Sequence, residues 1–240
     1  EGVWHLFYTG ARRDERGLVQ RIGLATSTDL IHWEKDPNNP VMEADPRWYE
    51  LLDLNAWHDQ AWRDPWVYRH PTTGEFHALI TARVHSGPAD GRAVIAQARS
   101  TDLRHWTILA PLTEPGDFGQ MEVPELVELG GRYWLIFSGS TRLSSSVRQA
   151  RAQSVGPEAG THYLVGDSPD GPFAYQTDKF LVGDPSGSLY SGKLVEGPDG
   201  RWFFMAFRNR DAEGRFLGEL SDPYPVSYVE GILRVDGLSR

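Results

Sequence analysis

The sequence contains no cysteine, and no apolar run approaches the ~20 residues that a membrane-spanning helix requires. The absence of cysteine excludes disulfides and thiolate metal sites, although it leaves the redox compartment open. Positive charge is also scarce, because 24 Lys and Arg residues stand against 33 Asp and Glu residues, giving a formal net charge of −9. We therefore expect neither a nucleic acid nor a membrane as a partner.

Helical periodicity is equally scarce, and the 240 residues instead repeat a unit of short strands. Four strand-like runs lie at 4–8 (WHLFY), 76–80 (FHALI), 133–137 (YWLIF) and 202–206 (WFFMA). The last three follow glycine-containing turns of the kind that join hairpins. A Ser-Thr-Asp-Leu turn followed by a tryptophan also recurs, beginning at Ser27 and again at Ser100. Units of about four strands joined by turns are typical of β-propeller blades.

We therefore predict an all-β fold, with a single β-propeller domain over residues 1–240. The predicted blades cover residues 1–35, 62–109, 122–176 and 189–229. The tail at 231–235 is either the first strand of a fifth blade or a closing strand. Residues 36–61 and 143–161 are predicted to be excursions from the repeat. The first eight residues read as though they begin inside a fold, so they predict nothing about targeting.

Two short motifs place carboxylates at the start of predicted strands. Arg63-Asp64-Pro65 follows Trp62 and opens one strand, and Glu122-Val123-Pro124 opens another. Sugar hydrolysis requires two carboxyl groups held facing each other, and strands hold side chains more accurately than loops do. The two motifs therefore favour a glycosidase site. The neighbouring Glu125 is interpreted as structural.

The position of each aromatic or histidine residue in the repeat indicates its role. Trp33 and Trp106 occupy equivalent positions and are predicted to lie in the core. Trp57 and Trp62 break the repeat, which makes them candidates for stacking on a sugar. Four histidines in repeated positions are predicted to pack: His5, His32, His77 and His105. Their spacing gives no metal-site signature, and we expect neither a metal nor a cofactor.

The two motifs together resemble glycoside hydrolase family 32, which contains invertases, levanases and inulinases and is related to the family 68 levansucrases. Residues 2–8, 29–34 and 184–191 are similar to further stretches of that family. The resemblance implies a five-bladed propeller with a funnel-shaped pocket on its axis. It also implies a carbohydrate partner and a retaining mechanism on β-fructofuranosides such as sucrose, levan or inulin.

The resemblance also implies roles for individual residues. Glu122 would be the general acid/base, and Asp64 would bind sugar hydroxyls and stabilise the oxocarbenium-like transition state without attacking. Arg63 would hold Asp64 or Glu122 through a charge-assisted hydrogen bond. Tyr190 would line the pocket. Apart from the resemblance, Trp57 and Trp62 are predicted to contact substrate because they break the repeat.

The sequence departs from the family at three places. The family's nucleophile is an aspartate in an Asn-Asp-Pro-Asn-Gly motif just before the first-blade strand, and we expect it to be missing from these residues. Asp36-Pro37-Asn38-Asn39 looks like a substitute, but it follows the Trp33 strand and is interpreted as an ordinary loop. No C-terminal β-sandwich is expected, and Val123 replaces a frequent cysteine.

Three functions therefore stay open at the level of sequence. The first is a β-fructofuranosidase-like retaining glycosidase. The second is a family 43-like arabinofuranosidase or xylosidase, which shares the propeller and the paired carboxylates. The third is a non-catalytic, carbohydrate-binding propeller that lacks the nucleophile.

Overall fold

A computed structural model describes residues 2–152, 156–211, 213–229 and 231–238. The chain divides into two compact units, Glu1–Pro124 and Glu125–Arg240. The fold is all-β, as predicted, and the described residues form sixteen strands, one short α-helix and two 3₁₀ turns. Within those residues, no helix has the length and apolar character needed to cross a bilayer.

Unit 1 contains two antiparallel sheets whose strands follow chain order. The first sheet consists of β1 (Trp4–Ala11), β2 (Gln20–Ser27) and β3 (Glu34–Lys35). The second sheet consists of β4 (Trp62–Arg69), β5 (Phe76–Arg83), β6 (Ala93–Ser100) and β7 (Thr107–Ile108). A 3₁₀ turn at Ala89–Gly91 lies between β5 and β6. These sheets match the first two predicted blades.

The repeated turn has the same hydrogen bonds in both sheets of unit 1. In the first copy, the Ser27 hydroxyl accepts the Leu30 amide at 2.9 Å, and the Asp29 carboxylate accepts the His32 amide at 2.8 Å. In the second copy, Ser100 and Asp102 accept the corresponding amides. The predicted turn is therefore confirmed, because each polar side chain closes the backbone around a left-handed leucine.

The ring residues of this turn correct two predictions. His32 and His105 do not pack; they are exposed, and Nδ1 of each ring lies 2.7 Å from the carboxylate of the aspartate in its own turn. Trp33 and Trp106 are half-buried rather than fully buried. Trp106 nevertheless packs edge-on against Phe7, with ring centroids 5.6 Å apart. The amphipathic turn covers the edge of the core without entering it.

The excursion at 36–61 is packed onto the second sheet. Tyr49 is buried beside Trp62 in the core, and its hydroxyl donates to the Leu109 carbonyl at 2.7 Å. The Asn39 side chain binds both backbone groups of Leu24, at 2.7 and 2.9 Å. The Asp36 carboxylate is buried in an ion pair with Arg104. Residues 36–39 are thus a loop that clamps β2, as interpreted from the sequence.

Unit 2 continues the same architecture, and the division between the units falls inside β8. One sheet has the order β11-β10-β9-β8. Its strands are β8 (Glu122–Leu129), β9 (Arg132–Ser140), β10 (Ala159–Gly166) and β11 (Val182–Asp184). A 3₁₀ turn (Thr141–Leu143) and helix α1 (Ser146–Arg151) lie between β9 and β10. This sheet extends the predicted third blade to Asp184.

The last sheet has the order β12-β13-β15-β16, with β14 paired to β13. Its strands are β12 (Leu189–Glu196), β13 (Trp202–Arg210), β14 (Phe216–Leu220), β15 (Tyr224–Val229) and β16 (Ile232–Val235). Strand β16 pairs with β15, so the tail closes the fourth sheet. The described residues therefore form four blades of the β-propeller type, and a fifth stays a prediction.

Candidate active site

Both carboxylate motifs lie at irregularities near the start of a strand. In β4 the pairing register shifts between Arg63 and Trp66, and Asp64 has a left-handed φ of 57°. In β8, Val123 has a φ of 52°. Such a conformation is strained for a residue other than glycine, and it persists only where the surroundings fix it. A bulge of this kind redirects a side chain away from the regular alternation of the strand.

Hydrogen bonds from three strands hold these irregularities in place. The Asp64 amide donates to the Thr9 hydroxyl of β1 at 3.0 Å. The Asp64 carboxylate accepts the Thr81 hydroxyl of β5 at 3.0 Å and the Val123 amide at 3.3 Å. Asp64 and the residue after Glu122 are therefore joined directly, which brings the two motifs together in unit 1.

Arg63 lies at the centre of the site. Its Nη2 donates to Glu122 Oε1 at 2.7 Å, and its Nε lies 3.6 Å from Asp64 Oδ2. Its Nη1 donates to Asp59 Oδ2 at 3.3 Å and to Gln20 Oε1 at 3.1 Å. The side chains of Arg63 and Glu122 are 13% and 21% exposed, so the pair is largely withdrawn from water but still accessible. One guanidinium thus organises three carboxylates.

Sequence reasoning missed several members of this site. The sequence does not distinguish Asp59 from the other acidic residues of the excursion, and it gives no signal for Gln20, Thr9 or Thr81. Gln20 bonds Asp59 at 3.3 Å and also accepts the Trp62 amide at 3.3 Å. These residues come from separate strands and a loop, so only the strand register shows that they meet. The nearness of Asp59 to Arg63 in the chain was the one available clue.

The two tryptophans predicted to stack on a sugar differ in burial. Trp62 is 0% exposed and packs on Tyr49 in the core, with ring centroids 5.0 Å apart. A fully buried ring has no face for a ligand, so the assignment of Trp62 to substrate is wrong. Trp57 is half-buried, and the Arg83 guanidinium lies 3.8 Å from the centroid of its ring. One face of Trp57 is therefore already occupied by a cation.

Tyr190 lies in unit 2, at an irregularity like those of the motifs. The register of β12 shifts between Tyr190 and Lys193, and Ser191 has a φ of 54°. The Asp184 carboxylate holds the preceding turn by accepting the Ser186 amide at 2.7 Å and the Ser188 amide at 3.0 Å. Arg63, Glu122 and Tyr190 thus each directly precede a left-handed residue near the start of a blade's first strand.

Glu125 is structural, as interpreted from the sequence. It is 1% exposed, and its carboxylate accepts the Leu194 amide at 2.8 Å. Burial raises the pKa of Glu125 to about 7, while the charge of Lys193 acts in the opposite direction. Glu122 and Glu125 therefore have different environments. The Glu122 carboxyl is accessible beside Arg63, whereas the Glu125 carboxyl is buried and bound to a backbone amide.

Comparisons with known proteins identify the family of the chain. The sequence profile of the glycosyl hydrolases family 32 N-terminal domain matches residues 1–215. No curated protein sequence matches the chain significantly. An inulosucrase from Halalkalicoccus jeotgali bound to kestose is similar in structure, with a TM-score of 0.77 and 18% identity over 98% of this chain and 67% of that one.

Two further solved structures share the fold. A GH32 beta-fructofuranosidase of Bombyx mori has a TM-score of 0.70 and 20% identity, covering 99% of this chain and 48% of that one. Bacillus subtilis levansucrase has a TM-score of 0.74 and 11% identity, covering 97% of this chain and 65% of that one. The chain therefore spans between about half and two thirds of these proteins. From the profile match, the chain belongs to glycosyl hydrolases family 32 and carries its N-terminal domain.

Proposed function

We propose that the protein is a retaining glycosidase of the fructofuranosidase type. The observation that carries the proposal is the Arg63 guanidinium, which bonds Glu122 at 2.7 Å and lies 3.6 Å from Asp64. Two carboxyl groups fixed around one cation form an acid/base and electrostatic pair suited to an oxocarbenium-like transition state. We further propose that the four blades belong to a five-bladed propeller domain, as the resemblance implies.

In this proposal Glu122 protonates the glycosidic oxygen as the bond to fructose breaks, and then takes a proton from the incoming water. Asp64 binds sugar hydroxyls and balances the positive charge that develops on the ring. Arg63 keeps both carboxylates in place. The attacking aspartate of the mechanism is expected before β1, where the resemblance locates it.

Fructosides are favoured as substrates by the family and by the structural neighbours. One neighbour is an inulosucrase bound to kestose, and another is a beta-fructofuranosidase. The test is product release by the full-length protein from sucrose, inulin and levan, compared with nitrophenyl arabinofuranoside. Release of fructose supports the proposal, and activity confined to the arabinoside contradicts it. Calorimetric binding of fructosides without any turnover would instead indicate a carbohydrate-binding propeller.

A further inference from the structure

Arg83, at the end of β5, is a charged residue that the proposed mechanism does not use. It is 1% exposed, and a buried guanidinium is tolerated only when its donors are bound. Its Nε donates to Glu50 Oε2 at 2.7 Å, its Nη2 to the Ala89 carbonyl at 2.9 Å, and its Nη1 to the Gly119 carbonyl. This guanidinium therefore joins three separate segments of unit 1.

Two contacts of Arg83 lead to the active site. Gly119 lies three residues before Glu122 in the chain. Trp57, whose ring centroid is 3.8 Å from the guanidinium, lies two residues before Asp59. Asp59 and Glu122 bind the same Arg63 side chain, at 3.3 and 2.7 Å. Both ends of the Asp59–Arg63–Glu122 chain are thus anchored, a few residues away, on Arg83.

The two anchored segments also touch each other. A Cβ atom added at Gly119 would lie 2.7 Å from the Trp57 ring, so a side chain here would displace one of the two segments. The preceding residue is fixed as well, because the Phe118 carbonyl accepts the Ala93 amide at 2.9 Å. Trp57 is therefore held between a buried cation and the segment that leads into Glu122.

We propose that Arg83 is a positioning residue for Glu122. By binding Gly119 and Trp57 together, it sets the place of the Glu122 carboxyl and of Asp59 on either side of Arg63. The inference rests on the proposed function, in which Glu122 transfers the proton. A carboxyl displaced by about 1 Å loses on the order of 100-fold in catalysis, because proton transfer depends on alignment.

The experiment compares Arg83→Lys and Gly119→Ala with Arg92→Lys in the full-length protein. Arg92 is a matched control, because it bonds the same Glu50 at 2.7 Å while its other hydrogen bond goes to the Gly87 carbonyl. We expect Arg83→Lys and Gly119→Ala to lower kcat on sucrose by about 10- to 100-fold with little change in KM. Arg92→Lys should retain the kcat of the unmodified protein.

A second substrate separates positioning from general damage. An aryl fructofuranoside has a leaving group that needs little protonation, so misplacing the acid should cost less on it than on sucrose. A wild-type kcat in both test variants, or an equal loss on both substrates, would overturn the inference. Glu122→Gln belongs in the same series. If Glu122→Gln stays fully active, the proposed function is wrong. If Glu122→Gln is inactive while Arg83→Lys and Gly119→Ala keep full activity, only the role of Arg83 is wrong.

Discussion

At the scale of single residues, the site depends on what one guanidinium can do that an ammonium cannot. Arg63 serves Glu122, Asp59 and Gln20 through two nitrogens and approaches Asp64 with a third. Its planar fork supplies these bonds from a fixed geometry, whereas a lysine is a single flexible point charge. The Arg-Asp-Pro motif therefore contributes a scaffold as well as a carboxylate.

The negative charge of Asp64 can be tested separately from its shape. In Asp64→Asn the side chain keeps an oxygen for the Thr81 hydroxyl and the Val123 amide, which it bonds at 3.0 and 3.3 Å. We expect kcat for sucrose to fall by about 100- to 1,000-fold, because charge stabilisation in the transition state is lost. Steady-state kinetics measures the loss, and a thermal melt checks that the fold is retained. An active Asp64→Asn variant would show that Asp64 is only a turn residue.

At the scale of elements, each motif strand has, near its start, a left-handed residue that is held by its neighbours. Val123 is the least suited to that conformation, since β-branched side chains rarely adopt positive φ. Its amide is nevertheless bonded by both Asp64 and Thr81, at 3.3 and 3.2 Å. Backbone strain is thus located beside the acid/base residue and is maintained by contacts from β4 and β5.

The backbone strain at Val123 can be tested through the free energy of unfolding. We expect Val123→Gly to change the free energy of unfolding by less than about 1 kcal/mol, because relief of strain offsets the added freedom of the unfolded chain. Val67, in β4, packs on the core, and Val67→Gly should cost about 2 kcal/mol or more. Urea titrations of both variants give the comparison. Equal losses in the two would contradict the presence of strain at Val123.

Some elements of the fold could be predicted from the sequence, and others could not. Alternating strands and glycine turns repeat locally, so the four blades could be predicted from the sequence. The sequence leaves the role of the tail at 231–235 open between two alternatives, and the pairing of β16 with β15 decides it. The bulge between Arg63 and Trp66 leaves no local signature, and it changes which residues face the core. The prediction that Trp62 contacts a sugar is therefore wrong, because the ring is buried in the core. The contact between Asp59 and Gln20 depends on strand register, which the local sequence does not encode.

At the scale of the whole molecule, the stability of the chain should respond to the buried carboxyl of Glu125. Burial raises its pKa to about 7 in the folded protein, above the value of about 4.5 in the unfolded chain. The folded state therefore binds more protons between these values, so stability falls as pH rises from about 4.5 to 7. His162 has the opposite effect, because burial lowers its pKa from about 6.5 to about 4. Between these values the unfolded chain binds more protons than the folded one, so stability falls as the pH falls from about 6.5 to 4.

Glu125→Gln isolates the first effect. The amide oxygen can still accept the Leu194 amide, which Glu125 bonds at 2.8 Å, but the group no longer ionises. At each pH we take the free energy of unfolding of the variant minus that of the unmodified protein. This difference should be greater at pH 8 than at pH 5, by up to about 3 kcal/mol. Chemical denaturation at both pH values measures the difference. A difference that does not change with pH would contradict a raised pKa at Glu125.

The central claim is that Glu122 transfers the proton during fructoside cleavage. The most direct measurement is kcat on sucrose and on an aryl fructofuranoside for Glu122→Gln, with Glu128→Gln as the control, since Glu128 is an exposed residue of the same strand. We predict a loss of about 100- to 10,000-fold on sucrose, a smaller loss on the aryl substrate, and no loss in the control. Sucrose hydrolysis by Glu122→Gln at the rate of the unmodified protein would contradict the assignment.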